Sequence, residues 1–374
     1  MIKIALCGYP PFAEQIQRSL QGSGIDIKFF IEDFVATHDA AENFVTELPL
    51  INFSNFRQLV KAGELDGLII AELPPYSKFV KDVVQTCKLC NIAQVYIIDL
   101  DSHNNLRKLD PRKAYVGYLE TNIIDGCNLN CASCVDFSTL FSKDEFYPIE
   151  NFQRDVCQLS KCCDVIIFRM MGGEPLLLKN LDEYVKIARN YLPETNLRVV
   201  TNGLLIPSLP QRILDALREN DIILDVSAYI PTRKIADKIK ATLTANKITF
   251  HFDEFFKDKF VSFMTLHPGN NTEKSRVACL SDICRFFRGG KIYKCQNEAL
   301  RYRFEERFGI EGLPVATGVD IYAPNFPALL RMLDDDVEMC GWCAEQHREV
   351  PWRTTSNPKL EDWLADPDEL KNFS

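Results

Sequence analysis

The sequence predicts an α/β protein built in three parts. Two alternating series of strand-like and helix-like segments are separated by a polar stretch, and a third region loses that regularity. The predicted boundaries are 1–115, 116–265 and 266–374. The chain has 374 residues, more than one typical domain.

The first series opens with "IKIALCG", a short apolar run that ends on Gly8. "PFAEQIQRSLQGSG" follows with helical spacing and a glycine stop. "IDIKFFIED", "DGLIIAEL" and "AQVYIIDLD" read as further strands, with the helix "YSKFVKDVVQTCKLC" between the last two. This predicts a small Rossmann-like domain with a parallel sheet. Its first turn, "CGYPPFA", lacks the G-x-G-x-x-G that brings a backbone onto a pyrophosphate, so NAD is not expected there. "MIKIALCGYPPF" is expected to be a first strand, not a signal peptide. Leu106–Tyr118 is polar and basic and reads as a linker.

The second series offers six strands: "YLETNIID", "VIIFRMM", "LRVVTNG", "IILDVSAY", "ITFHFDE" and "FVSFMTL". Four helical patterns lie among them. Six strands over this length fit an open (β/α)6 partial TIM barrel, since a closed eight-stranded one needs about 250 residues.

Composition narrows the function. A net charge of −9 argues against a nucleic-acid partner. No apolar run approaches the ~20 residues that span a bilayer, so no membrane partner is expected. Fourteen cysteines without a secretory signal point to metal or redox chemistry in a reducing, cytoplasmic setting.

Three of those cysteines, Cys127, Cys131 and Cys134, stand C-x3-C-x2-C directly after the first strand of the second series. Loops at strand C-termini of such barrels carry active sites. Three thiolates can hold three corners of a [4Fe-4S] cube and leave one iron open, as catalytic metal centres do. "MMGGEPLL" ends the second strand, "VVTNG" the third and "DVSAY" the fourth. A zinc site completed from elsewhere would leave that ordered set of strand-end motifs unexplained.

Together these residues resemble the radical S-adenosylmethionine (radical SAM) superfamily. The resemblance implies SAM bound by its amino and carboxylate groups at the open iron, and a 5'-deoxyadenosyl radical that removes a hydrogen atom from carbon. It implies cofactor contacts from Gly172, Gly173, Glu174 and Pro175, from Thr201 and Asn202, and from Ser227, with Glu174 receiving the SAM ammonium. The residue before the third cysteine is often aromatic in this family and touches adenine. Here it is Ser133, and nearby Phe137 is the candidate substitute.

In the last hundred residues, Cys279 and Cys295 form C-x10-G-x4-C, and Cys340 and Cys343 form "CGWC". This resembles the Twitch and SPASM extensions of radical SAM enzymes, and implies an auxiliary [4Fe-4S] cluster on those four residues. Cys284 is left as an alternative ligand, a hydrogen-atom donor or an inert residue. Four thiolates also suit structural zinc. Tyr229, His251 and Asp253 are candidate substrate contacts at strand ends. Cys7, Cys87, Cys90, Cys157, Cys162 and Cys163 are expected to be packing or helix-end residues.

The first domain loosely resembles small domains attached to bacterial surface-polysaccharide and nucleotide-sugar enzymes. The expected function is therefore a radical SAM oxidoreductase or epimerase acting on a sugar, amino sugar or polyol, with flavodoxin or ferredoxin as electron donor. A peptide-modifying maturase and a non-catalytic metal-binding scaffold are the alternatives.

Overall fold

The computed structural model describes residues 1–35, 48–98, 106–253, 257–279 and 284–372. The ends of two predicted strands, 99–101 and 254, lie outside the described residues. Contacts divide the chain into two units, Met1–Gly117 with Lys161–Ile166, and Tyr118–Ser160 with Ile167–Ser374.

The first unit holds a six-stranded sheet. Its strands are β1 (Ile2–Gly8), β2 (Ile25–Val35), β3 (Leu50–Ile51), β4 (Gly67–Ala71), β5 (Val95–Ile98) and β6 (Leu106–Lys108), in the order β3-β2-β1-β4-β5-β6. That is the doubly wound Rossmann order. Every pairing is parallel except that of β6, which runs antiparallel to β5. Helices α1 (Pro10–Ser19), α2 (Phe53–Lys61) and α3 (Lys78–Leu89) connect the strands. Asn52 caps α2 and Ser77 caps α3, each accepting a backbone N–H of the first turn. Gly8 ends β1 at φ +114°, where a Cβ would lie 2.3 Å from the Ala71 carbonyl oxygen. Ile4, Leu6, Phe30 and Ile69 are fully buried and form the core.

The expected linker is not one. Leu106–Lys108 is β6, and Ala114 already begins the next strand. Its polarity misleads because Arg107 is buried, donating from Nη1 to the Val165 carbonyl at 2.8 Å. Cys7 and Cys87 are fully buried in this unit, as packing residues would be.

The second sheet has eight strands in the order β11-β10-β9-β8-β7-β13-β14-β15. They are β7 (Ala114–Ile124), β8 (Cys163–Gly172), β9 (Asn196–Thr201), β10 (Ile223–Val226), β11 (Phe250–Phe252), β13 (Arg285–Arg288), β14 (Lys291–Tyr293) and β15 (Val319–Asp320). β8, β9, β10 and β11 are parallel neighbours, and β13 runs parallel to β7. Helices α4 (Ile149–Cys162), α5 (Leu181–Tyr191), α6 (Gln211–Glu219), α7 (Ile230–Arg233) and α8 (Ala236–Ala245) alternate with the strands, the crossover pattern of an open barrel.

The predicted sixth barrel strand lies elsewhere. It is β12 (Lys259–Met264), which pairs antiparallel with β16 (Cys343–Pro351) in a separate two-stranded sheet. Ser262 and Met264 are its buried positions, and this alternation suits a half-buried antiparallel strand rather than a parallel strand covered on both faces.

The C-terminal region adds α9 (Thr272–Ala278), α10 (Gln296–Leu300), α11 (Tyr302–Phe308) and α12 (Phe326–Leu330). Phe137, Phe286, Phe304 and Trp363 form its aromatic core, with the Phe304 ring centroid 5.7 Å from that of Trp363 and 5.8 Å from that of Phe137. Among the described residues no helix is long and apolar enough to cross a membrane.

Phe304 is fully buried, so Phe304→Ala is expected to destabilise the second unit by about 3–5 kcal/mol. A urea midpoint below the parent's is the expected result, and an unchanged midpoint would contradict it.

Candidate active site

β7 ends at Ile124 and leads into Asp125-Gly126-Cys127. Asp125 is buried and anchors the loop. Its two carboxylate oxygens accept from Arg288 at 2.7 and 2.6 Å, and its N–H donates to the Glu145 carbonyl at 2.9 Å. Burial pushes the Asp125 carboxyl up, and the Arg288 guanidinium opposes this. The next fixed point comes from β8. Gly173 N–H donates to the Ile124 carbonyl and Glu174 N–H to the Gly126 carbonyl, both at 3.0 Å. A Cβ on Gly172 would lie 1.8 Å from the Ile124 oxygen, and one on Gly173 2.0 Å from the Gly126 oxygen. Only glycine permits this approach.

The cysteine loop that follows is compact. Asn130 and Ser133 adopt left-handed backbone, at φ 49° and 60°. Cys127 and Cys131 are buried, and Cys134 is partly so. A C-terminal segment lies along the loop. Ala132 N–H donates to the Arg353 carbonyl, Thr355 N–H to the Asn130 carbonyl, and Trp352 Nε1 to Cys131 Sγ at 3.1 Å. Ser133 Oγ donates to the Asp362 carbonyl. Burial pushes the Cys127 and Cys134 thiols up and that of Cys131 to about 12, so loading metal here must release protons.

The three thiols open on a cavity of about 460 Å³. Gly172, Gly173, Thr201, Asn202, Ser227 and Tyr229 line it as well, so the ends of β8, β9 and β10 meet the cysteine loop in one place. Leu129, Phe260 and Val261 are apolar lining, and Asp136, Arg169 and Lys257 are charged lining. The donor set fits a cluster with an open iron: three sulfurs from one loop, with glycine backbone and small polar side chains facing them. Among the described residues no three His, Cys, Asp or Glu side chains converge on a point that would hold a single metal ion.

Glu174 does not line this cavity. Its carboxylate is fully buried and accepts from Leu176 N–H at 3.0 Å, Thr201 Oγ at 2.7 Å and Asn202 N–H at 2.8 Å. It therefore ties the end of β9 to the glycine turn. Pro175 is buried beside it at the start of a short helical turn. Asn202 Nδ2 donates to Asn128 Oδ1 at 2.6 Å, inside the cysteine loop. Ser227 Oγ accepts from Lys257 Nζ at 3.2 Å.

Phe137, expected at adenine, is instead fully buried between Phe304 and Trp363 and does not line the cavity. His251 is half-exposed on β11 and pairs with Asp225 at 3.0 Å, outside the cavity. Asp253 lies 3.9 Å from Lys257. Cys284 is also outside the cavity lining, and the charged groups nearest in effect are Glu120 and Arg169.

Sequence reasoning missed Asp136, Arg169, Lys257 and Trp352, along with apolar lining such as Leu129 and Phe260. Asp136 is 7 % exposed, and its Oδ1 makes no hydrogen bond. Burial, reinforced by Glu120 and Asp125, pushes its carboxyl up to about 7. Arg169 is held by Glu120 at 3.0 Å and Asp225 at 3.3 Å. A signal existed for Asp136, a carboxylate two residues beyond Cys134; none existed for Lys257 or Trp352.

A second set of thiols lines a cavity of about 30 Å³. Cys279, Cys295, Cys340 and Cys343 surround it and Cys284 does not.

Residues 121–277 match the family model described as the Radical SAM superfamily. The GTP 3',8-cyclase of Sulfurovum sp. (strain NBC37-1) is 30% identical over 136 residues, 35% of this chain and 40% of that protein. The GTP 3',8-cyclase of Campylobacter curvus (strain 525.92) is 31% identical over 126 residues, 33% of this chain and 39% of that protein. The match thus spans about two fifths of these curated relatives' length. Among solved structures, BtrN in complex with AdoMet and 2-DOIA aligns at 16% identity and TM-score 0.37, covering 62% of this chain and 93% of that one. Native anSMEcpe with bound AdoMet aligns at 17% identity and TM-score 0.28, covering 36% of this chain and 43% of that one.

Two outcomes are expected. Gly173→Ala should displace the cysteine loop and lose its iron while the helix content measured by circular dichroism is retained. Glu174 sits at about 7 in the fold against an ordinary 4.5, so protonation is easier in the folded state. Its effect therefore lowers stability as pH rises from about 4.5 to 7. Melting temperatures of the metal-free protein should show that slope, and Glu174→Gln should flatten it.

Proposed function

We propose that this chain, whose residues 121–277 match the Radical SAM superfamily model, is a radical SAM oxidoreductase or epimerase acting on a small hydroxylated molecule: a sugar, amino sugar or polyol. The observation that carries the reading is the meeting of Cys127, Cys131 and Cys134 with the ends of β8, β9 and β10 on one cavity. When bound, a [4Fe-4S] cluster and SAM supply a 5'-deoxyadenosyl radical able to take a hydrogen atom from carbon.

The protein's own groups do the holding. The backbone of Gly172 and Gly173, which lines the cavity, would receive the SAM amino group, with Glu174 bracing the turn behind it. Asn202 Nδ2 and Ser227 Oγ would offer hydrogen bonds to the carboxylate and ribose, and Thr201, whose hydroxyl donates to Glu174, would line the site beside them. Tyr229, Phe260 and Leu129 give the cavity an apolar flank that keeps water from a reactive centre. Asp136, Arg169 and Lys257 offer charged contacts to a polar substrate. Of the side chains expected at the substrate, Tyr229 alone among Cys284, Tyr229 and His251 lines the cavity, and the reading assigns the contact to it. A second [4Fe-4S] cluster is assigned to Cys279, Cys295, Cys340 and Cys343, which share one cavity. A flavodoxin or ferredoxin would supply the electron.

A nucleotide substrate is the second reading. The curated relatives named GTP 3',8-cyclase favour it, and Arg169 and Lys257 are cations suited to phosphate.

Reduced, reconstituted protein incubated with SAM is expected to form 5'-deoxyadenosine, and its absence would sink both readings. Two clusters require about eight irons per chain. Replacing Cys127, Cys131 and Cys134 together by Ala should leave about half of the iron and no SAM cleavage. Faster 5'-deoxyadenosine formation with a nucleotide sugar favours the first reading, and with GTP the second.

A further inference from the structure

Arg301 directly follows α10 and is 1 % exposed. Its Nη2 donates to the Thr265 carbonyl at 3.1 Å, and its Nη1 points at the Met339 sulfur at 3.2 Å, a weak acceptor. Its guanidinium lies 5.2 Å from the centroid of the Trp342 ring. Nε is buried and makes no hydrogen bond. Met339 lines the second cavity together with Cys295 and Cys343, and among the described residues the ionisable groups that act on Arg301 are those two thiols, with no carboxylate. A buried cation without an anion is one of the costliest arrangements a fold can hold.

The missing anion has an address. Cys295 immediately precedes α10 and Cys343 begins β16, and both line the second cavity with Cys279 and Cys340. As neutral thiols they give Arg301 nothing to pair with. As thiolates around a cluster they supply net negative charge. Lys294 lines the same cavity, with Nζ fixed on the carbonyls of Leu333 and Asp335 at 3.0 and 3.1 Å. The opposing carboxylate, Glu298, is occupied by the N–H of Lys294 and by Thr317. One-electron reduction adds a negative charge to a cluster. Net charge, hydrogen bonding and solvent exposure set the potential at which that occurs. A fixed cation in a dry site stabilises the reduced form.

We propose that Arg301 is the counter-cation of an iron–sulfur cluster held by Cys279, Cys295, Cys340 and Cys343, and that its charge raises that cluster's one-electron reduction potential. The inference rests on the auxiliary-cluster reading given above.

The test uses the full chain carrying Cys127→Ala, Cys131→Ala and Cys134→Ala, so that only the downstream site binds iron. Its midpoint potential is read by electron paramagnetic resonance during titration with dithionite. Adding Arg301→Gln is expected to weaken reduction at least tenfold, a fall of about 59 mV for one electron. Arg301→Lys keeps the charge and is expected to retain most of the parent's potential. If Arg301→Gln holds iron at the parent's potential, the counter-cation inference fails and the auxiliary-cluster reading stands. If the parent itself binds no iron, the cluster reading fails and takes the inference with it. Loss of iron in Arg301→Gln with retention in Arg301→Lys supports the inference, because charge alone separates the two. Loss in both overturns it, since shape and not charge would then be what the site requires.

Discussion

The contact on which the active site depends is between two pieces of backbone. The turn after β8 lies so close to the start of the cysteine loop that no side chain fits between them, and Gly172 and Gly173 meet this condition. Two hydrogen bonds from Gly173 and Glu174 to the carbonyls of Ile124 and Gly126 then fix the loop's first turn. Everything beyond follows from that registration. Glu174 reaches from the turn to Asn202 and Thr201, and Asn202 reaches back to Asn128. A closed circuit of hydrogen bonds thus links the ends of β7, β8 and β9 to the cysteines. Such sites are more accurate on strand ends than on free loops, since the strands cannot shift independently.

Charge is arranged around this circuit with economy. Asp125 is buried but fully engaged by Arg288, which belongs to β13 and so ties the C-terminal region to the cysteine loop. Arg169 is shared by Glu120 and Asp225. By contrast, Asp136 has an unengaged oxygen at the cavity wall, and among the described residues no carboxylate acts on Arg301 at the second thiol set.

Much of this was legible in the sequence because the signals were local. The C-x3-C-x2-C spacing, the "GGEP" turn and the strand ends "VVTNG" and "DVSAY" each occupy a few residues, and the strand periodicity places them in order. Long-range pairing was not legible. Nothing in "FVSFMTL" tells that its partner is β16, some eighty residues later, rather than a barrel neighbour. Trp352 and Lys257 reach the site through the fold, with no motif around them. Leu106–Tyr118 misled because Arg107 is polar yet buried on a carbonyl. Glu174 was recognised by its motif but expected in a different place. Its carboxylate braces the backbone of Asn202 and is not exposed to the cavity. Phe137 looked available because it neighbours Cys134, but its ring belongs to the core with Phe304 and Trp363.

Three cysteines would hold the cluster and leave one iron for SAM, and everything proposed for the site rests on that vacancy. It is tested most directly by the electron paramagnetic resonance spectrum of the dithionite-reduced protein before and after SAM is added, with SAM carrying ¹⁵N at its amino group. One cluster signal is expected to change on SAM addition and to show coupling to the labelled nitrogen. That signal is expected to be missing when Cys127, Cys131 and Cys134 are replaced. A spectrum that SAM leaves unchanged, with that cluster present and reduced, would contradict it.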